Sequence, residues 1–125
     1  MHFLVAEDNQ LNAEIIRELL RTEGATCDVE PDGQATVKRF RTAKTGEYTA
    51  VLMDVMMPIM NGYDATRAIH ASAHPEAQTI PIIAMTANAF VKNVHDAMDS
   101  GMNAHIAKPL DLDMLKQTLG ACLRS

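Results

Sequence analysis

Short runs of hydrophobic residues alternate along the chain with amphipathic runs of helical spacing. The runs with strand character are Phe3–Ala6, Thr26–Glu30, Tyr48–Met53, Ile80–Met85 and Ala104–Ala107. The helical runs are the segment between Asn9 and Gly24, then Ala35–Lys44, Tyr63–Ala73, Asn88–Ser100 and Leu110–Leu123. Successive strand–helix units are typical of an α/β fold with parallel strands and helices on both faces. We therefore predict a (βα)5, doubly wound, five-stranded parallel sheet with right-handed crossovers.

The first helix has a signal at each end. Asn9 is a residue type that caps helices, and Gly24 ends the apolar repeat. Leu11 and Ile15 widen the apolar stripe of this helix beyond what one core face needs. We therefore expect an exposed apolar edge on the first helix.

The third apolar run marks the centre of the sheet. Residues 50–53 are apolar at successive positions, which is typical of a parallel strand that is buried on both faces. Asp54 follows this run directly. In the fourth run, Pro81 has no N–H to donate and must lie at the start of the strand.

Composition narrows the possible roles of the chain. Its 125 residues suit one domain spanning 1–125. The formal charge of −5 gives no basic surface for nucleic acid. No apolar run reaches the roughly 18 residues of a membrane helix, and no secretory signal begins the chain. Cys27 and Cys122 lack metal-ligand spacing, so we expect a reduced, cytoplasmic setting without direct membrane contact.

The carboxyl ends of the predicted strands carry a chemically distinctive set of residues. In an open parallel sheet, function collects at this edge. The residues there are Glu7, Asp8, Asp54, Thr86 and Lys108. Three neighbouring carboxylates repel one another, and Mg2+ is a hard cation that prefers such oxygen ligands. The Lys108 ammonium and the Thr86 hydroxyl are suitable groups for binding phosphoryl oxygens.

Four segments at these strand ends resemble the receiver domain of two-component response regulators. They are residues 5–9, 53–62, 84–87 and 107–109. In order they read Val-Ala-Glu-Asp-Asn, Met-Asp-Val-Met-Met-Pro-Ile-Met-Asn-Gly, Ala-Met-Thr-Ala and Ala-Lys-Pro. One such segment is a weak signal, whereas four in order make a strong one, and the likeness runs over essentially the whole chain. The resemblance implies the flavodoxin-like strand order 2-1-3-4-5.

The resemblance also implies roles for the acidic residues. Asp54 would take a phosphoryl group from a phosphohistidine and become an aspartyl phosphate. Glu7 and Asp8 would bind Mg2+, with Asp54 and the backbone carbonyl of Met56 as further ligands. Such a domain assists its own phosphorylation and dephosphorylation and is not classed as an enzyme.

The remaining roles implied by the resemblance concern phosphoryl binding and switching. Thr86 and Lys108 would bind the phosphoryl group, and Thr86 would move on phosphorylation. The family usually has Tyr or Phe three residues before this lysine as a rotating switch ring, whereas this chain has His105. An imidazole differs from those rings in charge and in burial preference. Met56 and Asn88 occupy positions that influence the hydrolytic water in this family.

A closer resemblance is to receivers that are fused to hybrid sensor histidine kinases. It is carried by residues 8–12, 86–90 and 101–110. It implies that the partner is a histidine kinase or a histidine phosphotransfer domain. We expect a monomer or weak dimer, either free in the cytoplasm or as the cytosolic part of a membrane-bound hybrid kinase.

Other interpretations of the same residues are less consistent with the whole pattern. Glu7 and Asp8 would also suit the start of any helix, where the dipole favours acids. A receiver-like module that is never phosphorylated would have lost Asp54, another of the acids, or Lys108. None of these residues is lost. Phosphohydrolases with an aspartate nucleophile typically carry Asp-x-Asp, whereas residue 56 is Met. A flavin carrier would require a Ser-, Thr- or Gly-rich phosphate loop after the first strand.

Overall fold

The computed structural model describes residues 1–86, 98–107 and 112–124. The strands are β1 (His2–Ala6), β2 (Thr26–Glu30), β3 (Ala50–Asp54), β4 (Ile82–Thr86) and β5 (Ala104–Ala107). Helices with described bounds are α1 (Gln10–Thr22), α2 (Gly33–Arg41), α3 (Gly62–His70) and α4 (Leu112–Arg124). Most of the helix predicted over Asn88–Ser100 lies outside the described residues.

The five strands form one parallel sheet in the order β2-β1-β3-β4-β5. This order confirms the flavodoxin-like topology that the resemblance implied. The sheet therefore has β1 and β3 side by side near its centre. Their carboxyl ends, which carry the acidic residues, meet at one edge of the sheet.

Some predicted boundaries were wrong by one to three residues, and local chemistry explains several of the differences. The second helix begins at Gly33 rather than Ala35, because the Asp32 carboxylate accepts a hydrogen bond from the Ala35 N–H (2.7 Å). The third strand extends to Asp54, which we had expected just beyond it. Pro81 lies directly before β4, and its carbonyl accepts from the Val51 N–H (2.9 Å).

The sheet has an apolar core on each face. On the face with α2 and α3, the largest fully buried members include Leu4, Phe40, Met53, Ile69 and Ile82. On the face with α1 and α4, they include Phe3, Leu20, Leu52, Ile83 and Ile106. Helices on both faces make the central strands inaccessible to water, as their continuous apolar sequence predicted.

None of the helices within the described ranges is long enough and apolar enough to cross a bilayer.

Candidate functional site

Glu7 and Asp8 lie in the short connection between β1 and α1. The Glu7 N–H donates to the carbonyl of Glu30 (3.0 Å), which continues the strand pairing by one residue. The Asn9 side chain accepts from the Asn12 N–H (3.0 Å), so α1 starts at once. Both acids are therefore held at the carboxyl edge of the sheet and near the positive end of a helix.

Asp54 is the last residue of β3 and is only 5% exposed. It pairs in register with Met85 of the neighbouring strand. One of its carboxylate oxygens accepts a hydrogen bond from the Met56 N–H (3.2 Å). The strand and this bond together fix the orientation of the carboxylate.

The carboxylate groups of Glu7, Asp8 and Asp54 converge. One oxygen atom from each lies within 4.8 Å of the other two. Glu7 and Asp54 are buried, whereas Asp8 is exposed. At this separation, two buried charges repel by about 3 kcal/mol for an effective dielectric constant near 20. A hard divalent cation relieves this repulsion and accepts oxygen ligands, so the donor set fits Mg2+.

Thr86 ends β4 next to this cluster and is 3% exposed. Its hydroxyl oxygen has no hydrogen-bond partner among the residues that the structure describes. A buried hydroxyl without a partner costs about 1–3 kcal/mol, so such groups in native proteins call for an explanation. An oxygen-rich ligand at this edge of the sheet would satisfy the Thr86 hydroxyl.

His105 lies on the edge strand β5 and is half-buried. It pairs in register with Ala84, and Ala107 pairs with Thr86. Side chains two residues apart on a strand share a face, so His105 and Thr86 lie on the same side of the sheet. Lys108 and Asn88, to which the resemblance gives roles at the phosphoryl group and the hydrolytic water, lie outside the described residues.

Apolar side chains are exposed around the site. Met56 and Ile59 protrude from the loop after Asp54, and Leu11 and Ile15 protrude from α1. The exposed edge predicted on the first helix is therefore confirmed. The groove along α1 between Glu14, Ile15, Glu18 and Leu19 has an apolar lining.

Gly33 and Gly62 follow Asp32 and Asn61 in dipeptides that are typical of turns, and both lie against backbone near the site. A Cβ at Gly62 would overlap the Asp54 carbonyl oxygen, and one at Gly33 would overlap the Met60 carbonyl oxygen. Both glycines therefore permit close backbone contacts with the segment that begins at Asp54. The dipeptides Asp32-Gly33 and Asn61-Gly62 indicate turns, but they do not indicate which backbone segment packs against each glycine.

A second polar cluster joins His2 of β1, Asp28 of β2 and Tyr48, which lies just before β3, away from the acidic edge. The Tyr48 hydroxyl donates to Asp28 (2.7 Å), and the same carboxylate oxygen lies 3.0 Å from His2 Nε2. The Tyr48 bond holds the pKa of Asp28 below its ordinary value, with weaker help from His2 and Arg39. Burial, followed by the bond to Asp28, raises the pKa of Tyr48. No motif in the sequence indicated this cluster.

Comparisons with known proteins agree with the fold and the geometry. The sequence model of the response regulator receiver domain matches residues 3–120. The peroxide stress-activated histidine kinase mak1 of Schizosaccharomyces pombe is 34% identical over 121 residues. The sensor histidine kinase RcsC of Escherichia coli is 34% identical over 119 residues. The matched regions cover 96% and 95% of this chain but only 7% and 12% of those two kinases.

Solved structures give the same result. The receiver domain of the sensor histidine kinase PA1611 from Pseudomonas aeruginosa PAO1 superposes with a TM-score of 0.87 and is 34% identical. The alignment covers 99% of this chain and 98% of that one. That crystal structure holds a magnesium ion in its active-site cleft. Fold, acidic cluster and sequence similarity together show that the chain belongs to the family of response regulator receiver domains.

Proposed function

We propose that residues 1–125 form one phosphoacceptor domain of a two-component phosphorelay, which takes a phosphoryl group from a phosphohistidine onto Asp54. The observation that carries this proposal is the convergence of three carboxylates within 4.8 Å at the carboxyl edge of the sheet. The buried strand below Asp54 fixes its position. The Thr86 hydroxyl beside the cluster adds a donor for a phosphoryl oxygen.

Glu7, Asp8 and Asp54 would hold Mg2+, with the backbone carbonyl of Met56 as a further ligand. When bound, Mg2+ neutralises charge on the oxygens of the transferring phosphoryl group. The likeness to the magnesium-containing receiver of PA1611 supports this assignment. Asp8 is the exposed member of the set, which gives the metal a route of entry from solvent.

In the proposed transfer, a carboxylate oxygen of Asp54 attacks the phosphorus atom. A new O–P bond forms while the P–N bond to the donor imidazole breaks, and the electron pair of that bond returns to the imidazole nitrogen. The Met56 N–H holds one Asp54 oxygen at 3.2 Å and thereby fixes the plane of the attacking carboxylate. Burial of Asp54 limits competing access of water.

Thr86 and Lys108 would bind the other phosphoryl oxygens. The Thr86 hydroxyl has no partner among the described residues and would gain an acceptor on phosphorylation, so phosphorylation favours its movement toward Asp54. His105 lies on the same side of the sheet as Thr86, and it would transmit this movement to β5. This chain thus uses an imidazole where relatives usually have a Tyr or Phe ring.

The partner we propose is a helical histidine phosphotransfer domain or a histidine kinase. Leu11 and Ile15 are exposed on α1 beside the acidic edge, where an apolar docking surface would bring a phosphohistidine to Asp54. The curated relatives are histidine kinases much longer than this chain, which supports a role inside a phosphorelay. We propose that the domain acts in the cytoplasm as a monomer or weak dimer, and that it assists its own phosphorylation without being a turnover enzyme.

The lifetime of the phosphorylated state would depend on Met56 and Asn88. The exposed Met56 side chain has no strong hydrogen-bonding group with which to orient a water molecule in line with the phosphorus. Asn88 would orient such a water only partly. Slow self-hydrolysis suits a relay, because the phosphoryl group can then pass to the next histidine.

Dependence of labelling on Mg2+ tests the proposal. Wild type should gain one phosphoryl group from a small-molecule phosphodonor in Mg2+ and none in excess chelator. Asp8→Ala should label more slowly and bind Mg2+ more weakly. Asp64→Ala is a matched control, because Asp64 is an exposed acid on α3 that pairs with Arg67. Equal labelling of wild type with and without chelator would contradict the metal assignment.

A further inference from the structure

A close backbone contact joins the amino end of α2 to the loop that follows Asp54. The Gly33 N–H donates to the carbonyl oxygen of Met60 (3.2 Å). Gly33 is the first residue of α2, and the first N–H groups of a helix have no partner within it. The loop therefore supplies an acceptor that α2 needs, and α2 supplies a fixed anchor for the loop.

Position 33 has no room for a side chain larger than that of glycine. A Cβ there would overlap the Met60 carbonyl oxygen and would lie 3.0 Å from its carbonyl carbon and 3.1 Å from its Cβ. The obstacle is mainly backbone, which cannot rotate aside as the end of a long side chain can. Any larger residue at position 33 must therefore push the loop away from α2.

The turn that presents the Met60 carbonyl is strained. Ile59 has a φ of 69°, in the left-handed region that β-branched residues rarely adopt. The Met60 N–H donates to the Pro58 carbonyl (2.7 Å), which closes a three-residue turn of a rare and strained type. The Ile59 side chain is 77% exposed, so its own packing does not hold the turn. Strain of this kind persists only where the surroundings impose it, and Gly33 supplies one such restraint.

We propose that Gly33 is a positioning residue for the metal and phosphoryl site. Through its contact with the Met60 carbonyl, Gly33 holds in place the loop that carries the Met56 carbonyl. This inference rests on the metal assignment proposed above. The two ends of the loop are also joined to each other, because the Gly62 N–H donates to the Val55 carbonyl (3.0 Å). A displacement at Met60 is therefore passed back toward Met56.

Calorimetric titration with Mg2+ tests this role without phosphorylation. Gly33→Ala should bind Mg2+ about fivefold or more weakly than wild type, within the usual range of coupling between sites. Gly24→Ala is the control, since Gly24 has a positive φ and open space around its Cβ position. Gly24→Ala should lose stability through backbone strain but keep the Mg2+ affinity of wild type. Equal weakening in both variants would overturn the proposal.

A second variant distinguishes positioning from general damage. Gly33→Ala combined with Ile59→Gly should recover most of the lost affinity, because glycine lets the turn absorb the displacement. Failure of this rescue, or a Gly33→Ala affinity within about twofold of wild type, would show that the contact does not position the site. Absence of Mg2+ binding by wild type would instead overturn the metal assignment itself.

Nuclear magnetic resonance on wild type gives a test that does not depend on the folding of any variant. The amide signal of Gly33 should shift during Mg2+ titration with the same midpoint as that of Asp54, whereas that of Gly24 should not move. A Gly33 amide that does not respond to saturating Mg2+ would overturn the proposed coupling.

Discussion

Gly62 packs directly against the backbone of Asp54. A Cβ at residue 62 would overlap the Asp54 carbonyl oxygen and lie 3.0 Å from the Cα of Val55. We predict that Gly62→Ala lowers the free energy of unfolding by about 1–3 kcal/mol, as overpacking of a well-packed site usually does. It should also slow labelling of Asp54 by a small phosphodonor, because the strain falls on the residue that holds the carboxylate.

Urea unfolding and labelling rates measure these two effects. Gly46→Ala is the control, because Gly46 has a φ of 82° and nothing within 4 Å of its Cβ position. Gly46→Ala should lose about 1–2 kcal/mol through backbone strain and label at the rate of wild type. A Gly62→Ala protein as stable and as rapidly labelled as wild type would contradict the packing argument.

The bond between Tyr48 and Asp28 predicts a pH-dependent contribution to stability. This bond lowers the pKa of Asp28 in the folded state. The contribution is therefore complete above the unfolded pKa of about 4 and is lost as the pH falls through the folded pKa. Tyr48→Phe should cost about 1.5–3 kcal/mol at pH 7, the usual range for a hydrogen bond to a charged group, and less in acid.

Urea unfolding of wild type and Tyr48→Phe at pH 7 and pH 3 measures this difference. A double-mutant cycle with Asp28→Ala isolates the pairwise part, since both single variants remove the same bond. A loss that is equal at the two pH values would show that the ionised Asp28 carboxylate is not the relevant partner.

Much of the fold was predictable because the strongest signals are local. Apolar runs at strand spacing and helical spacing locate the elements, and continuous apolar sequence before Asp54 marks the central strand. The predicted convergence of Glu7, Asp8 and Asp54 is confirmed, because parallel strands end at the same edge. The strand order itself came from the family resemblance.

The remaining features depend on contacts between residues that are distant in sequence. Gly33 and Met60 meet only after α2 has packed beside the loop following Asp54. Asp28 and Tyr48 come together across the sheet, and neither lies in a recognisable motif. Such pairs leave no periodic pattern, so the sequence alone predicts the residue types but not their partners.

If the exposed edge of α1 docks the partner, a substitution there should slow phosphorylation by the partner but not phosphorylation by a small-molecule donor. Ile15 is 47% exposed, so Ile15→Asp should leave the fold intact. It should slow transfer from a phosphorylated histidine phosphotransfer domain roughly tenfold, as loss of an interface anchor does. Labelling by a small donor should not change.

Stopped-flow or gel measurement of both rates provides the test. Met98→Asp is the matched control, since Met98 is a similarly exposed apolar residue that is not part of α1. If Ile15→Asp slowed both reactions together, the change would have damaged the site and not the docking surface.

The side chain at residue 56 should influence how long the phosphorylated domain survives before hydrolysis. Met56→Asn would place an amide beside Asp54, where it could orient an attacking water. We expect the variant to lose its phosphoryl group several-fold faster than wild type in Mg2+ without a partner. Met56→Leu, which also has no strong hydrogen-bonding group, should behave like wild type. Equal rates for Met56→Asn and wild type would show that this position does not limit hydrolysis.

The most direct test of the central claim is intact mass spectrometry after incubation with Mg2+ and a small phosphodonor. Wild type should gain the mass of one phosphoryl group, whereas Asp54→Asn should gain none, because an amide oxygen is too weak a nucleophile. Asp54→Asn should retain the far-ultraviolet circular dichroism of wild type, which confirms that it is folded. Labelling of folded Asp54→Asn at the rate of wild type would contradict the assignment of Asp54 as the phosphoacceptor.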